Sequence, residues 1–258
     1  MRSAHFAVRN NSKASPAAVQ QVLAQLERHR AEILALFPLR ALPPIDVNLV
    51  DGTFVPYATG PDGAMFMQIP VVNGRPAMGA LQHELIHIMA GYSNVGLMEG
   101  LAVHGDQAIR PHDRSVFPAF GESVDAWTRY FVESSNYVPL VRVFTAREFF
   151  KEAASGENRT MSADDIFSWQ SYVEAASFVR WLIAERGWDE FWAAYKQATL
   201  TGSNARIIGP LLDRYEDEWL RAARNAPRLT RPVREILPVS DPRFLSLANA
   251  LERRREPL

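Results

Sequence analysis

A helix that buries one flank and displays two histidines and a glutamate on the other is the strongest constraint on how this chain folds. The segment His83-Glu84-Leu85-Ile86-His87 has the pattern HExxH. On a wheel of about 100° per residue with His83 at zero, His87 falls at about 40° and Glu84 at about 100°. Leu81, Leu85, Ile88, Met89 and the preceding Met78 gather at roughly 140–240°. The spacing therefore predicts an amphipathic helix with its apolar side on a core and a separate polar arc.

That arc has a chemistry. Imidazoles four apart on a helix can face one cation, and the glutamate between them can act as a general base. Twelve residues beyond His87 lies Glu99, in Met98-Glu99-Gly100-Leu101-Ala102. A catalytic zinc keeps three protein ligands and one open position for water, and His83, His87 and Glu99 supply that number. His104, five residues past Glu99, sits about 140° further round the same helix and points elsewhere. Asp106 returns to the Glu99 side. It is either an acceptor that orients one of the histidines or a solvated carboxylate. The longer HExxHxxGxxH pattern is excluded by Ala90 and Ser93.

Composition narrows the alternatives. The chain has no cysteine, so disulfides, thiolate metal sites and cysteine nucleophiles are excluded. A metal here must use histidine and carboxylate, the style of catalytic sites. With 258 residues, 47% hydrophobic and 22% charged, a sizeable core is available. A net charge of −1 gives no footprint for nucleic acid. No apolar stretch is long enough to span a bilayer, so no stable membrane insertion is expected. The start, Met1-Arg2-Ser3-Ala4-His5-Phe6, lacks an apolar signal core. That implies a cytoplasmic chain, or an exported one from which a leader was trimmed.

Along the chain, His5–Arg9 alternates as a short strand. Ser15-Pro16 reads as an N-cap with proline in the first turn, opening a helix to about Leu36. Pro38, Pro43 and Pro44 end it. Ile45–Val50 reads as a strand, Gly60–Gly63 as a turn, and Ala64–Ile69 as a strand stopped by Pro70. The HELIH helix is expected from about Pro76 to Ala90 with Gly91 as its stop, and a second helix from near Leu97. Phe117–Pro139 is aromatic and irregular. Helices are expected around Glu148-Phe149-Phe150, from a start at Ser162–Asp165, over about Ser168–Arg186 with Gly187 closing it, over Asp189–Ala198 and over Ile207–Arg224. The expected organisation is one domain over 1–226, with sheet and metal helices to about 110 and a helical part over about 111–226. A Pro- and Arg-rich solvated tail follows at 227–258.

HELIH followed by Leu97-Met98-Glu99-Gly100-Leu101-Ala102 resembles the gluzincin metallopeptidases, above all the compact peptidase-MA-like families with an HELxH helix before an EGLA helix. The spacing from His87 to Glu99 is shorter than in thermolysin-like or aminopeptidase-N-like members. The match is convincing over about Ile45–Asp106 and weaker through Gly187. The resemblance implies an α+β zincin-like fold: a small N-terminal mixed sheet packed on the HExxH helix, with a mainly helical C-terminal part. It implies one zinc ion per chain and a peptide or protein substrate. It also implies that Ala64–Ile69 is the edge strand along which substrate adds. Ser171–Val179 resembles the helix whose tyrosine faces the metal, so Tyr172 is the expected donor to the oxyanion. Tyr172 shares a stripe with Ala176, Val179 and Ile183, which suits a site wall and a packed core equally. Tyr57 and Tyr92 are the alternatives.

The expected activity is zinc-dependent peptide hydrolysis by a monomer, with Glu84 as general base. Three other readings stay open. One is a zincin-fold peptide-binding module with little or no turnover. Another is a metal hydrolase acting on something other than a peptide. The last is a metal-free helical scaffold in which HELIH is accidental.

Overall fold

The computed structural model describes residues 1–39, 42, 44–53, 56–59, 66–114, 116–145, 161–198 and 205–253. The chain divides into two compact units, Met1–Tyr92 and Ser93–Leu258.

The first unit contains β1 (Phe6–Asn11), α1 (Pro16–Leu36), β2 (Ile45–Asp51), β3 (Tyr57–Thr59), β4 (Phe66–Val72), β5 (Arg75–Pro76) and α2 (Leu81–Ala90). Its sheet has the order β1-β2-β4-β3, with β5 paired to β4. β1, β2 and β4 run parallel, in registers Val8↔Val47 and Leu49↔Ile69, while β3 and β5 are antiparallel to β4. Alternation sends Phe6, Val8, Ile45, Val47, Leu49, Met67 and Ile69 into the core. α1 starts as its sequence dictates: Ser15 Oγ accepts from the Ala18 N–H at 3.2 Å, and Pro16 sits in the first turn.

Three expectations shift here. β4 does not stop at Pro70. The N–H and C=O of one strand residue point to the same side, and the Pro70 carbonyl accepts from Ala77 N on the β5 side. The missing proline N–H therefore falls beyond the end of β3, whose last partner is Gln68, and interrupts no bond to β2. The HELIH helix begins at Leu81 rather than Pro76, because Asn73-Gly74 folds β4 back onto β5. Both residues have positive φ, 51° and 76°, as a two-residue hairpin requires. β4 is also interior, with β3 on its outer side, so the edge strand is β3 and not Ala64–Ile69. The expected turn at Gly60–Gly63, the strand start at Ala64-Met65 and Pro43 lie outside the described residues.

The second unit is helical: α3 (Val95–Ile109), α4 (Val124–Glu133), α5 (Leu140–Thr145), α6 (Ala163–Gln197), α7 (Ala205–Asn225), α8 (Val233–Ile236) and α9 (Pro242–Arg253). α6 opens with a capping box between Ser162 and Asp165. It is two helices joined at Gly187, whose φ of 85° no helix accommodates. This matches the expected break. Phe117–Pro139, aromatic and irregular in sequence, contains α4, capped by Ser123 Oγ accepting from Ala126 N at 3.0 Å. The helix expected around Glu148-Phe149-Phe150 lies outside the described residues.

The core joins Trp127, Phe131, Trp169, Val173 and Val103, with Trp127 and Trp169 edge-to-face at 5.2 Å. Buried indoles keep their hydrogen bonds: Trp127 Nε1 donates to the Ala119 carbonyl at 3.0 Å and Trp169 Nε1 to Pro118 at 3.2 Å. Residues 227–253 are not a solvated tail. Val233, Ile236, Leu237, Leu247, Ala248 and Leu251 belong to the same core. Their helical spacing is hidden by the prolines and arginines around them. The architecture is α+β. Among the described residues no helix is long and apolar enough to cross a membrane.

Candidate metal centre

α2 places the two histidines. Glu84 lies in its first turn, where a carboxylate suits the helix dipole. Gly91 ends it with φ 79° and donates its N–H to the His87 carbonyl at 2.9 Å. The buried arc is wider than the wheel implies. Leu81, Leu85, Ile88 and Met89 are inside as expected, but Gln82, Ile86 and His87 are buried as well, His87 at 6% exposure. His83 and Glu84 are half-buried. The Nε2 atoms of His83 and His87 are 3.1 Å apart, with the rings edge-on at 87°. The i, i+4 spacing thus aims both ring nitrogens at one point.

α3 places the glutamate, and its N-terminus is tightly built. Asn94 is fully buried and caps it, accepting from the Gly96 and Leu97 N–H groups at 2.9 and 3.4 Å while donating Nδ2 to the Phe144 carbonyl at 2.8 Å. Ser93, also fully buried, donates Oγ to the Tyr195 carbonyl at 2.5 Å. Position 93, where the HExxHxxGxxH pattern would need a histidine, is here a structural hydroxyl. Two glycines then let α3 approach its neighbours. A Cβ on Gly96 would lie 2.7 Å from the Phe144 ring, and one on Gly100 would lie 2.7 Å from the Ala175 carbonyl oxygen of α6. The glycine after Glu99 is therefore a packing requirement for the helix that carries Glu99.

This close approach yields a prediction. A backbone carbonyl cannot rotate away, so Gly100→Ala must push α3 off α6. Overpacking usually costs about 1–3 kcal/mol, here about 2–3 because the obstacle is backbone, and the better helix propensity of alanine returns about 1. The expected net is a loss of about 1–2 kcal/mol, read as a lower urea midpoint. An unchanged midpoint would mean that the helices part at no cost.

Among the described residues, His83, His87 and Glu99 each offer one ligand atom, all within 4.8 Å of one another, and the group could hold a metal ion. Glu99 is 9% exposed. Burial and the Glu99 carboxylate together hold the Tyr195 phenol well above the usual tyrosine range. Tyr195 was not singled out by sequence, because it meets Glu99 only through the folding of α6 back along α3. Tyr172 is half-buried against the aromatic core, its ring edge-on to Phe117 at 5.5 Å. His104 is not in the metal group. Burial, reinforced by the Arg180 charge, lowers its pKa to about 4, so it is neutral at physiological pH. Asp106 is buried rather than solvated, at 5% exposure, with Arg110 3.5 Å away.

The chain matches no protein-family model, no characterised protein and no solved structure.

Proposed function

We propose that the protein is a zinc metallopeptidase of the gluzincin type with a zincin-like fold, holding one zinc ion through His83, His87 and Glu99. The observation that carries this reading is the convergence of those ligand atoms. Two imidazoles and a carboxylate are a donor set that catalytic zinc uses. The imidazole nitrogens of His83 and His87, 3.1 Å apart, would both be donors to one ion. Zinc, when bound, supplies an acidified water and polarises the scissile carbonyl.

The side chains of the protein do the rest. The Glu84 carboxylate takes the proton of the attacking water and returns it to the leaving amine nitrogen as the C–N bond breaks. Tyr172 donates its phenol O–H to the developing oxyanion. The substrate is a peptide or protein segment. The test is metal content by mass spectrometry on untagged protein incubated with zinc, beside His87→Ala. About one zinc per chain, lost in the variant, is expected. Wild-type protein that stays empty would overturn the reading.

A further inference from the structure

We propose that the second unit carries an anion site, a cavity of about 340 Å³ between α4 and residues 228–233 that takes a small carboxylate or phosphate. α4 contributes Ala126, Arg129, Tyr130 and Glu133, the i, i+3, i+4, i+7 stripe of one helix face. The facing segment adds Arg228 and Arg231, so three arginines line the cavity against one glutamate.

Their hydrogen bonding leaves capacity for a ligand. Arg129 is fixed in place, donating Nε to Glu133 at 2.8 Å and an Nη to the Ala226 carbonyl at 2.5 Å. Arg228 reaches the same Glu133 oxygen only at 3.5 Å, and its side chain is 74% exposed. Arg231 makes long contacts, 3.4 Å to Glu122 and 3.4 Å to the Glu235 carbonyl. Glu122 is itself held by the Thr230 N–H at 3.1 Å and by the Thr230 hydroxyl. Each guanidinium has five donors in a planar fork matched to carboxylate or phosphate oxygens. Among the described residues only a few are used here. Ala126, Leu229 and Val233 give the cavity apolar walls, so the anion can carry a small hydrocarbon body. The volume is at the low end of the ~300–1,000 Å³ typical of small-molecule sites. The rival account is that the arginines only staple 226–233 to α4, which requires no ligand.

The experiment is calorimetric titration of the metal-free full chain with inorganic phosphate and, separately, with propionate, at ionic strength held constant with sodium chloride. Removing metal silences the His83, His87 and Glu99 group. One saturable site with Kd of about 1 mM or tighter is expected for at least one probe. The stronger probe says whether a phosphate or a carboxylate is the natural chemistry. Arg228→Gln and Arg231→Gln are each expected to weaken binding about tenfold. Arg228→Gln should leave the urea midpoint unchanged, because its side chain is largely in solvent. Absence of saturable binding of both probes, or binding indifferent to both substitutions, would overturn the site.

Discussion

Glu84→Gln is expected to lower peptide hydrolysis by about 10²–10⁴-fold, the range that a positioned general base contributes. Zinc content should stay at the wild-type level. Glutamine has the shape of glutamate but cannot take a proton from water at neutral pH. It leaves His83, His87 and Glu99 untouched. The structural cost is small: Glu84 is half-buried in the first turn of α2, where loss of its charge against the helix dipole is worth at most about 1 kcal/mol. A thousandfold rate loss corresponds to about 4 kcal/mol of transition-state stabilisation, so the two effects are separable. The measurement is a peptide-library digest by wild type and variant at equal zinc occupancy. Equal cleavage by both would remove Glu84 from the mechanism. Zinc-loaded wild type that cleaves nothing would leave a peptide-binding module instead.

The parts of the site written on single helices were legible in the sequence. His83 and His87 meet because a helix repeats every 3.6 residues, and the observed 3.1 Å follows from that periodicity. Glu99 was singled out from the Met98–Ala102 segment twelve residues beyond His87, and it does offer a ligand atom within 4.8 Å of theirs. What holds Glu99 was not legible, because it depends on residues far along the chain. Gly100 meets Ala175, Ser93 reaches Tyr195, and Asn94 binds Phe144. Nothing local to residues 93–100 announces those partners. Other misses had a signal. Asn73-Gly74 is a strong hairpin dipeptide, and it would have moved the start of α2 to its observed place. The stripe Phe244, Leu247, Ala248, Leu251 has helical spacing, yet the surrounding prolines and arginines made residues 227–253 read as a tail. In the sheet, alternation located β1 and β2, whereas β3 is too short to alternate and the edge was misplaced by one strand.

Raising the pH from about 6.5 to 8 is expected to destabilise the fold, and Glu174→Gln to remove most of that loss. Glu174 is wholly buried on α6. Its Oε1 accepts from Gln170 Nε2 at 2.7 Å and from the Val138 N–H at 3.2 Å, while its Oε2 has no hydrogen-bond partner among the described residues. Burial raises its pKa from 4.5 to about 8, and the two hydrogen bonds only partly oppose the shift. A pKa raised in the folded state means stability that is complete below 4.5 and is lost as the pH rises through about 8. Between those values the unfolding constant changes about tenfold per pH unit, or about 1.4 kcal/mol. His104 works in the opposite sense. Its folded value of about 4 lies below 6.5, so its contribution grows as the pH rises across that window. The two slopes oppose each other up to about 6.5, and above it that of Glu174 dominates, giving a net loss of about 1–2 kcal/mol by pH 8. Glutamine keeps both hydrogen bonds to Oε1 and carries no charge, so the variant should lose little over the same interval. Urea denaturation of both proteins at the two pH values decides the matter. Parallel losses in wild type and variant would mean that Glu174 ionises near its ordinary value despite its burial.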